Sequence, residues 1–326
     1  DLNAFRCSEK AEETVFVPNT VAYIRLTSDS TTRGLRAAGE PGSYESHDNA
    51  PRMPFVCTFL NSMVLPYLSA ASARALEKCG RLAIELHDTY KDSNGNIDDR
   101  DAAFRNTLVF SRDRHHKHPV LIPDPFQMGN YGYMLDKTVD RIDWREKTPK
   151  MFFAGTTTGD RNPVKNERIR RCVWSLDHRD IADFYVTRIA QMDPRQALSV
   201  VPALDRTLNH RFAEDHHTRY RIGANIAGNT CSWSRIPAVM NTRTVLFDFV
   251  HPDISWYSPA LQEGFHYVSV NDDNLISRFY EYVNDARRCE EMANRANAFV
   301  RDFMRPVHAA QYTRHLLESA VEYTAP

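Results

Sequence analysis

Residues 150–176, KMFFAGTTTGDRNPVKNERIRRCVWSL, decide the fold class of this 326-residue chain. The apolar run from Lys150 to Gly155 predicts a buried strand, a threonine-rich loop follows it, and the pattern from about Pro163 predicts a helix. Short apolar runs alternate with helical patterns along most of the remaining sequence. Because this alternation is typical of βα units around a parallel sheet, the sequence predicts an α/β fold.

The length of the chain predicts about two domains, each able to bury its own core. Strand patterns lie at 21–27, 81–86, 107–113 and 119–124, and residues 129–149 have the composition of a linker. We therefore expect an N-terminal Rossmann-like domain over 1–145 and a C-terminal Rossmann-like domain over 146–304. Residues 305–326 are expected to form a helical segment that packs back on the N-terminal domain.

The charge and composition exclude several classes of protein. Basic and acidic residues number 41 and 42, so the net charge is -1 and no overall field draws the chain to nucleic acid or to an anionic membrane. Eight of the basic residues are lysine and the others are arginine, the residue that holds phosphate as a fork. No apolar run reaches the roughly 18 residues of a membrane span, so we expect a soluble chain without a membrane segment.

The cysteines and asparagines give information on the cellular compartment of the protein. The six cysteines are widely spaced and lack zinc-type spacing, so they are expected to be buried thiols or to form at most a few disulfides. No asparagine is followed two positions later by Ser or Thr. Because a glycosylation acceptor is therefore absent, the cytoplasm is favoured over a secretory lumen.

The loop after the strand at 150–155 is the first candidate anion site. Gly155, Thr156, Thr157, Thr158 and Arg161 would offer backbone N–H groups, hydroxyl donors and a guanidinium to an anion. The loop has neither the lysine and spacing of a P-loop nor a GxGxxG pattern, so an ordinary βα turn is the alternative interpretation.

A second loop of the same kind follows the strand pattern that begins at Tyr220. Gly228, Asn229 and Thr230 form a turn, small polar residues follow, and Arg235 precedes a helix predicted to open at Pro237. Two such loops at the carboxyl ends of strands in one domain would converge on a crevice that suits a nucleotide diphosphate.

Asp113 ends the strand pattern at 107–113 and is the candidate general base. A carboxylate there could remove a proton from an acceptor hydroxyl, although a loop-capping aspartate explains the same pattern. Three metal-like patterns are set aside. The histidines at 115, 116 and 118 fix no tetrahedral geometry, and the sequence from Asp92 to Asn96 is not followed by the glycine and glutamate of a calcium loop. Asp99-Arg100-Asp101 has the DxD form of a metal-diphosphate site, but it lies at an acidic helix start and not after an apolar strand. No metal site is therefore expected.

The second half of the sequence resembles the Rumi-like protein O-glucosyltransferases and fungal capsule-associated proteins of glycosyltransferase family ninety. The similarity runs from about Trp144 to Phe303, with a weaker continuation back to Val109. It is carried by three groups of residues in the family's order and spacing: Trp144, Lys147, Phe153-Ala154-Gly155-Thr156 and Arg161-Asn162-Pro163; Tyr220, Gly228, Asn229 to Ser234 and Arg235; and Trp256, Tyr257, Pro259, Leu261 and His266-Tyr267-Val268.

This resemblance implies a GT-B architecture, in which two Rossmann-like domains face an interdomain cleft. It also implies an inverting, metal-independent transfer of xylose or glucose from UDP-xylose or UDP-glucose to a hydroxyl of a glycan or glycoprotein acceptor. Asp113 matches the family's catalytic aspartate. The diphosphate would be held by two sets of residues: Gly155, Thr156, Thr157 and Arg161 in the first loop, and Gly228, Asn229, Thr230, Ser232, Ser234 and Arg235 in the second.

Three departures from the family pattern limit what the resemblance implies. Ala154 stands where the family has arginine, Ser234 lengthens the donor loop by one residue, and the tryptophan-rich acceptor loop is not recognisable between Gln127 and Asp143. A folded protein acceptor is therefore not assumed. Two alternatives stay open, a catalytically silent carbohydrate- or protein-binding module, which Ala154 favours, and a phosphotransferase, which the lack of a Walker-type lysine disfavours.

Overall fold

A computed structural model describes residues 21–29, 34–41, 49–86, 107–115, 119–129, 140–209, 211–213 and 215–322. The chain divides into two units. The first consists of Asp1–Gly132, Pro252–Trp256 and Met304–Pro326, and the second of Tyr133–His251 and Tyr257–Phe303. The first unit thus takes in a five-residue segment and the last helix from far along the chain.

The strands and helices of the described residues are numbered here in chain order. The strands are β1 Val21–Asp29, β2 Gly34–Gly39, β3 Arg81–Glu85, β4 Leu108–Val109, β5 Arg112–Asp113, β6 Val120–Leu121, β7 Thr148–Thr156, β8 Ala182–Arg188, β9 Tyr220–Asn225, β10 Val245–Phe249, β11 Asp253–Ile254 and β12 Val268–Val270. The α-helices are α1 Arg52–Phe59, α2 Ala70–Cys79, α3 Pro125–Met128, α4 Glu167–Trp174, α5 Pro194–Val200, α6 Arg235–Met240, α7 Leu275–Val283, α8 Ala286–Phe303 and α9 Pro306–Glu322.

The second unit is built on a parallel sheet with the strand order β12-β10-β9-β7-β8. Phe153, Phe184 and Phe247 are completely buried in its core, with residues of α4, α7 and α8 packed in the same cluster. A parallel sheet buried on both faces needs nearly continuous apolar strands, as in MFF of β7 and VLF of β10. The Rossmann-like sheet expected for this half of the chain is confirmed.

The first unit contains a mixed sheet with the strand order β2-β1-β3-β4-β6. The strands β3, β4 and β6 run parallel, whereas β1 is antiparallel to both β2 and β3. A separate two-stranded ladder joins β5 to β11. The α/β class predicted from the sequence is confirmed, and both units contain parallel strands, as a GT-B architecture requires.

The helices α2 and α9 both belong to the first unit. The side chain of Ser69 caps α2 by accepting a hydrogen bond from Ser72 N at 3.1 Å, and Gly80 ends the helix in a left-handed conformation with φ +73°. The last helix, α9, packs on α2 and α3. There the Tyr312 hydroxyl donates to Leu121 O at 3.0 Å.

Cys57, Cys172, Cys231 and Cys289 are buried free thiols, and Cys79 is disulfide-bonded. The patterns at Asp92–Asn96 and Asp99–Asp101, as well as His116 and His118, lie outside the described residues. No helix in the part of the chain that the structure describes is long and apolar enough to cross a membrane.

Candidate anion-binding site

The loop that follows β7 and the loop that follows β9 meet at the carboxyl ends of their strands. Gly159 N donates a hydrogen bond to Asn229 Oδ1 at 3.0 Å. A Cβ atom added to Gly228 would lie 2.5 Å from Thr158 Oγ1, so glycine is required at this close approach. The two loops that the sequence identified separately therefore form one site.

Arg168, in the first turn of α4, ties the two loops together and is only 8% exposed. Its Nε donates to Ile226 O at 3.0 Å, and its Nη1 donates to Thr156 O at 3.0 Å and to Thr158 Oγ1 at 2.6 Å. Burial lowers the pKa of Arg168 to about 10. This guanidinium is therefore fixed in place by neutral oxygen atoms.

Arg235 brings a second guanidinium to the same site from the start of α6. Its Nη2 donates to Ala154 O at 2.8 Å, and its guanidinium carbon lies 4.2 Å from the centre of the Phe153 ring. Its Nε is buried and has no hydrogen-bond partner among the residues that the structure describes. Burial, together with the positive charge of Arg168, lowers the pKa of Arg235 to about 9.

Neither arginine forms an ion pair with any residue in the described ranges. Buried charges are normally paired, because an unpaired charge in a region of low dielectric constant is unfavourable. The guanidinium carbons of Arg168 and Arg235 lie 5.7 Å and 4.2 Å from the centre of the same Phe153 ring, so two like charges lie close together. The chemistry of this site thus favours an anion that bridges two guanidinium groups.

Small residues complete the site. A Cβ on Gly155 would lie 2.9 Å from Phe153 Cζ and 3.0 Å from Arg235 Nη2, so a side chain at this position would displace the arginine. Ser232 Oγ is buried, and no described residue forms a hydrogen bond with it. Thr230 is also buried, and Ser234 immediately precedes α6.

Thr157 and Arg161, which the sequence analysis expected to bind an anion, have different surroundings in the structure. The Thr157 hydroxyl donates to Ala190 O at 2.9 Å and accepts from Ala190 N at 2.8 Å, so the next loop already uses it. Arg161 is exposed in the turn before α4, and the described residues give it no hydrogen bond or ion pair. The sequence predicted the helix from about Pro163, but α4 begins at Glu167.

Asn166 accounts for the late start of α4. Its Oδ1 accepts a hydrogen bond from Ile169 N at 3.1 Å, and its Nδ2 donates to Thr157 O at 3.0 Å and to Asp160 O at 2.8 Å. This buried side chain caps the helix and holds the preceding turn. With α4 starting at Glu167, Arg168 is a cation in a first helical turn, where the helix dipole disfavours positive charge. That local conflict is the signal that could have identified Arg168.

Asp113 lies in the first unit, on β5, where it pairs with Asp253 of β11 in antiparallel register. Its Oδ1 accepts a hydrogen bond from His115 N at 2.8 Å. The carboxylate is partly exposed. It therefore has the local hydrogen bond expected of a loop-capping aspartate and also a surface open to a reactant.

The fold and the site define an α/β protein with a candidate anion-binding site at the carboxyl ends of a parallel sheet. The family described as Glycosyl transferase family 90 matches residues 127–324, and the chain belongs to this family. The resemblance noted from the sequence is confirmed, and the protein is a glycosyltransferase by family. Asp113 lies before the matched residues.

No curated protein matches the chain. Among solved structures it is similar to TarM, with a TM-score of 0.38 and 9% identity over 52% of this chain and 35% of that chain. It is also similar to the C-terminal domain of the group 1 glycosyl transferase LpcC from Francisella tularensis, with a TM-score of 0.33 and 11% identity over 57% of this chain and 96% of that chain. A third similar structure is the sucrose-phosphate synthase of Thermosynechococcus elongatus, with a TM-score of 0.38 and 10% identity over 68% of this chain and 54% of that chain.

Proposed function

We propose that the protein is an inverting glycosyltransferase that moves xylose or glucose from UDP-xylose or UDP-glucose to a hydroxyl group of a glycan acceptor, without a metal ion. The observation that supports a nucleotide-sugar donor is the pair of buried guanidinium groups of Arg168 and Arg235, which lack a carboxylate partner in the described residues. A diphosphate supplies the negative charge that such a pair requires.

The donor would be held by the second unit. Arg235 Nε is a buried donor and Ser232 Oγ is a buried hydroxyl, and neither has a hydrogen-bond partner in the described ranges. Both would bond phosphate oxygens, while Gly155 and Gly228 allow the backbone to come close. The two guanidinium groups would stabilise the charge that develops on UDP as the bond to the anomeric carbon breaks. Thr156, Asn229, Thr230 and Ser234 line the same two loops.

In the proposed reaction, Asp113 accepts the proton of the acceptor hydroxyl. The acceptor oxygen forms a bond to the anomeric carbon while the bond from that carbon to the β-phosphate oxygen breaks. UDP leaves with the bonding electron pair, and the configuration at the anomeric carbon is inverted because the nucleophile attacks opposite the leaving group. A single carboxylate base suffices for this displacement.

Calorimetric titration with UDP tests the donor site. Arg235→Ala and Arg168→Met are expected to weaken UDP binding at least tenfold, because each removes a guanidinium from the diphosphate. Arg287→Ala is the matched control, since Arg287 is 84% exposed in the second unit and is expected to leave the affinity unchanged. Equal UDP affinities in wild type, Arg235→Ala and Arg168→Met would contradict the proposal.

Release of UDP from a panel of UDP-sugars in EDTA, with simple glycoside acceptors, tests the reaction. One sugar is expected to give release that Asp113→Asn abolishes while UDP still binds. Full turnover by Asp113→Asn would refute the base assignment. UDP binding without turnover of any sugar would instead favour the silent binding module, the alternative that Ala154 supports.

A further inference from the structure

Two buried polar side chains of the first unit each have one atom without a hydrogen-bond partner. Asp124 is 1% exposed, and Gln127, three residues later, is completely buried. Within the part of the chain that the structure describes, Asp124 Oδ2 and Gln127 Nε2 have no hydrogen-bond partner. Buried polar atoms are paired in the great majority of cases, so an unpaired acceptor and an unpaired donor one helical turn apart require an explanation.

The other atoms of both side chains are held firmly. Asp124 Oδ1 accepts hydrogen bonds from Phe126 N at 2.9 Å and from Gln127 N at 3.2 Å. Gln127 Oε1 accepts a hydrogen bond from the indole nitrogen of Trp256. Because an indole N–H only donates, the atom that faces it must be the oxygen of Gln127, and this contact fixes Nε2 as the unpaired donor.

A hydroxyl group satisfies both atoms at once, because it accepts one hydrogen bond and donates another. An ionised phosphate or carboxylate has no proton to donate to Asp124 Oδ2, and an apolar group would leave both atoms unpaired. Trp256 is partly exposed and lies beside Tyr312, with ring centres 4.9 Å apart. Hydroxyl partners next to aromatic rings are the combination that recognises the polar edge and apolar face of a sugar.

A short segment of the chain connects Gln127 with Asp113, the proposed base. Asp253 pairs with Asp113 in the ladder of β5 and β11, and Trp256 follows Asp253 by three residues. Three residues of extended chain span at most about 11 Å. The same short segment, which belongs to the first unit, thus contacts Asp113 at one end and Gln127 at the other.

We propose that Asp124 and Gln127 form a subsite for one hydroxyl group of the carbohydrate acceptor, with the ring of Trp256 beside the sugar. The hydroxyl donates to Asp124 Oδ2 and accepts from Gln127 Nε2. This assignment rests on the proposed function, since it gives the acceptor of that reaction a binding site in the first unit.

Saturation-transfer NMR with methyl glycosides of glucose, galactose, mannose and xylose tests the subsite, using the full chain with and without UDP. Asp124→Asn keeps an oxygen for the two backbone N–H groups and replaces the unpaired acceptor by a donor. Gln127→Glu keeps an oxygen for Trp256 and places a second carboxylate against Asp124. Each variant is expected to weaken glycoside binding roughly tenfold, because each removes one of the two hydrogen bonds to the sugar hydroxyl.

Asp193→Asn is the matched control. Asp193 caps α5 by accepting from Gln196 N at 2.7 Å, but it is exposed and lies in the second unit. It should leave glycoside binding unchanged, and UDP affinity should stay constant in all three variants. In turnover, Asp124→Asn and Gln127→Glu should raise the acceptor KM more than they lower kcat.

Two results would overturn the subsite. One is glycoside binding that survives both Asp124→Asn and Gln127→Glu, as expected if the pair holds only a buried water molecule. The other is the absence of saturation transfer to every glycoside while UDP binds to the wild type. Failure of UDP to bind would instead count against the proposed function, and the glycoside titration without UDP would still decide the subsite.

Discussion

The ammonium group of Lys147 is buried against the carboxylate of Asp140 inside the second unit. Its Nζ lies 2.5 Å from Asp140 Oδ2 and 2.6 Å from Thr218 O, and neither side chain of the ion pair is more than 2% exposed. Burial lowers the pKa of Lys147, and the bond to Asp140 opposes that shift. Lys147 was one of the residues that carried the family resemblance, and its role in the structure is to anchor the start of β7.

Lys147→Met should destabilise the protein because it leaves Asp140 as an uncompensated buried charge. We expect the free energy of unfolding to fall by about 3–5 kcal/mol, measured by urea unfolding. Lys150→Met is the control, since Lys150 is 27% exposed and pairs with Asp183 at 3.5 Å. It should lower the free energy of unfolding by no more than about 1 kcal/mol. Equal losses in the two variants would contradict a buried ion pair at Lys147.

Gly228→Ala should damage the anion site more than the fold. The new Cβ would lie 2.5 Å from Thr158 Oγ1 and 2.9 Å from Arg168 Nη2, so Arg168 would have to move. We expect UDP affinity to fall at least tenfold, measured by calorimetry. Gly264→Ala is the control, because Gly264 has φ +73° and open space around it. It should lower the free energy of unfolding by about 1 kcal/mol and leave UDP affinity unchanged.

Thr157→Val should lower the stability of the protein and spare UDP binding, whereas Ser232→Ala should weaken UDP binding and spare stability. Thr157→Val removes both hydrogen bonds to Ala190 and should lower the free energy of unfolding by about 1–3 kcal/mol, with UDP affinity within about twofold of wild type. Ser232→Ala removes a buried hydroxyl that has no hydrogen-bond partner in the described part of the chain, so it should leave stability nearly unchanged and weaken UDP binding. A large loss of UDP affinity in Thr157→Val would show that this hydroxyl faces the ligand after all.

The stability of the protein should depend on the titration of Asp124. Burial raises the pKa of Asp124 to about 7, although the positive charge of Arg52 opposes the shift. An unfolded aspartate titrates near pH 3.9, so the folded chain binds the extra proton between about pH 4 and 7. The free energy of unfolding should therefore fall as pH rises through this window, by up to about 1.4 kcal/mol per pH unit.

Urea unfolding at pH 5, 6 and 7 measures this slope. Asp124→Asn, which cannot titrate, should lack the part of the slope that Asp124 contributes. Asp193→Asn, at an exposed cap, should keep the slope of the wild type. The same pH dependence in wild type and Asp124→Asn would show that Asp124 does not bind the proton.

The strands β7 and β9 of the second unit could be predicted from the sequence because each is an apolar run bounded by turn residues, whereas β8 was not predicted. The run from Lys150 to Gly155 became the centre of β7, and the loops around Gly155 and Gly228 lie together as expected for neighbouring parallel strands. The start of α4 could not be located, since it depends on the side chain of Asn166, which holds Thr157 O and Asp160 O from the preceding turn. The importance of Arg168 was missed with it.

The first unit was harder to predict for a different reason. The apolar pattern at 21–27 predicts a strand, but a pattern cannot state that β1 pairs antiparallel with β2 and β3. The partner of β5 lies about 140 residues later, in β11. Pairing over that separation is a property of the folded chain, so neither the neighbour of Asp113 nor the contact between Gln127 and Trp256 has a local signal.

The segment Pro252–Trp256 and helix α9 belong to the first unit although they follow most of the second unit in the chain. During synthesis the ribosome releases the N-terminal residues first, and domains generally fold as they emerge. The second unit is complete once Phe303 has emerged, whereas the first must wait for Pro306–Glu322. The N-terminal part of the protein is therefore the last to finish folding, and a chain truncated before α9 would lose the unit at the opposite end of the sequence.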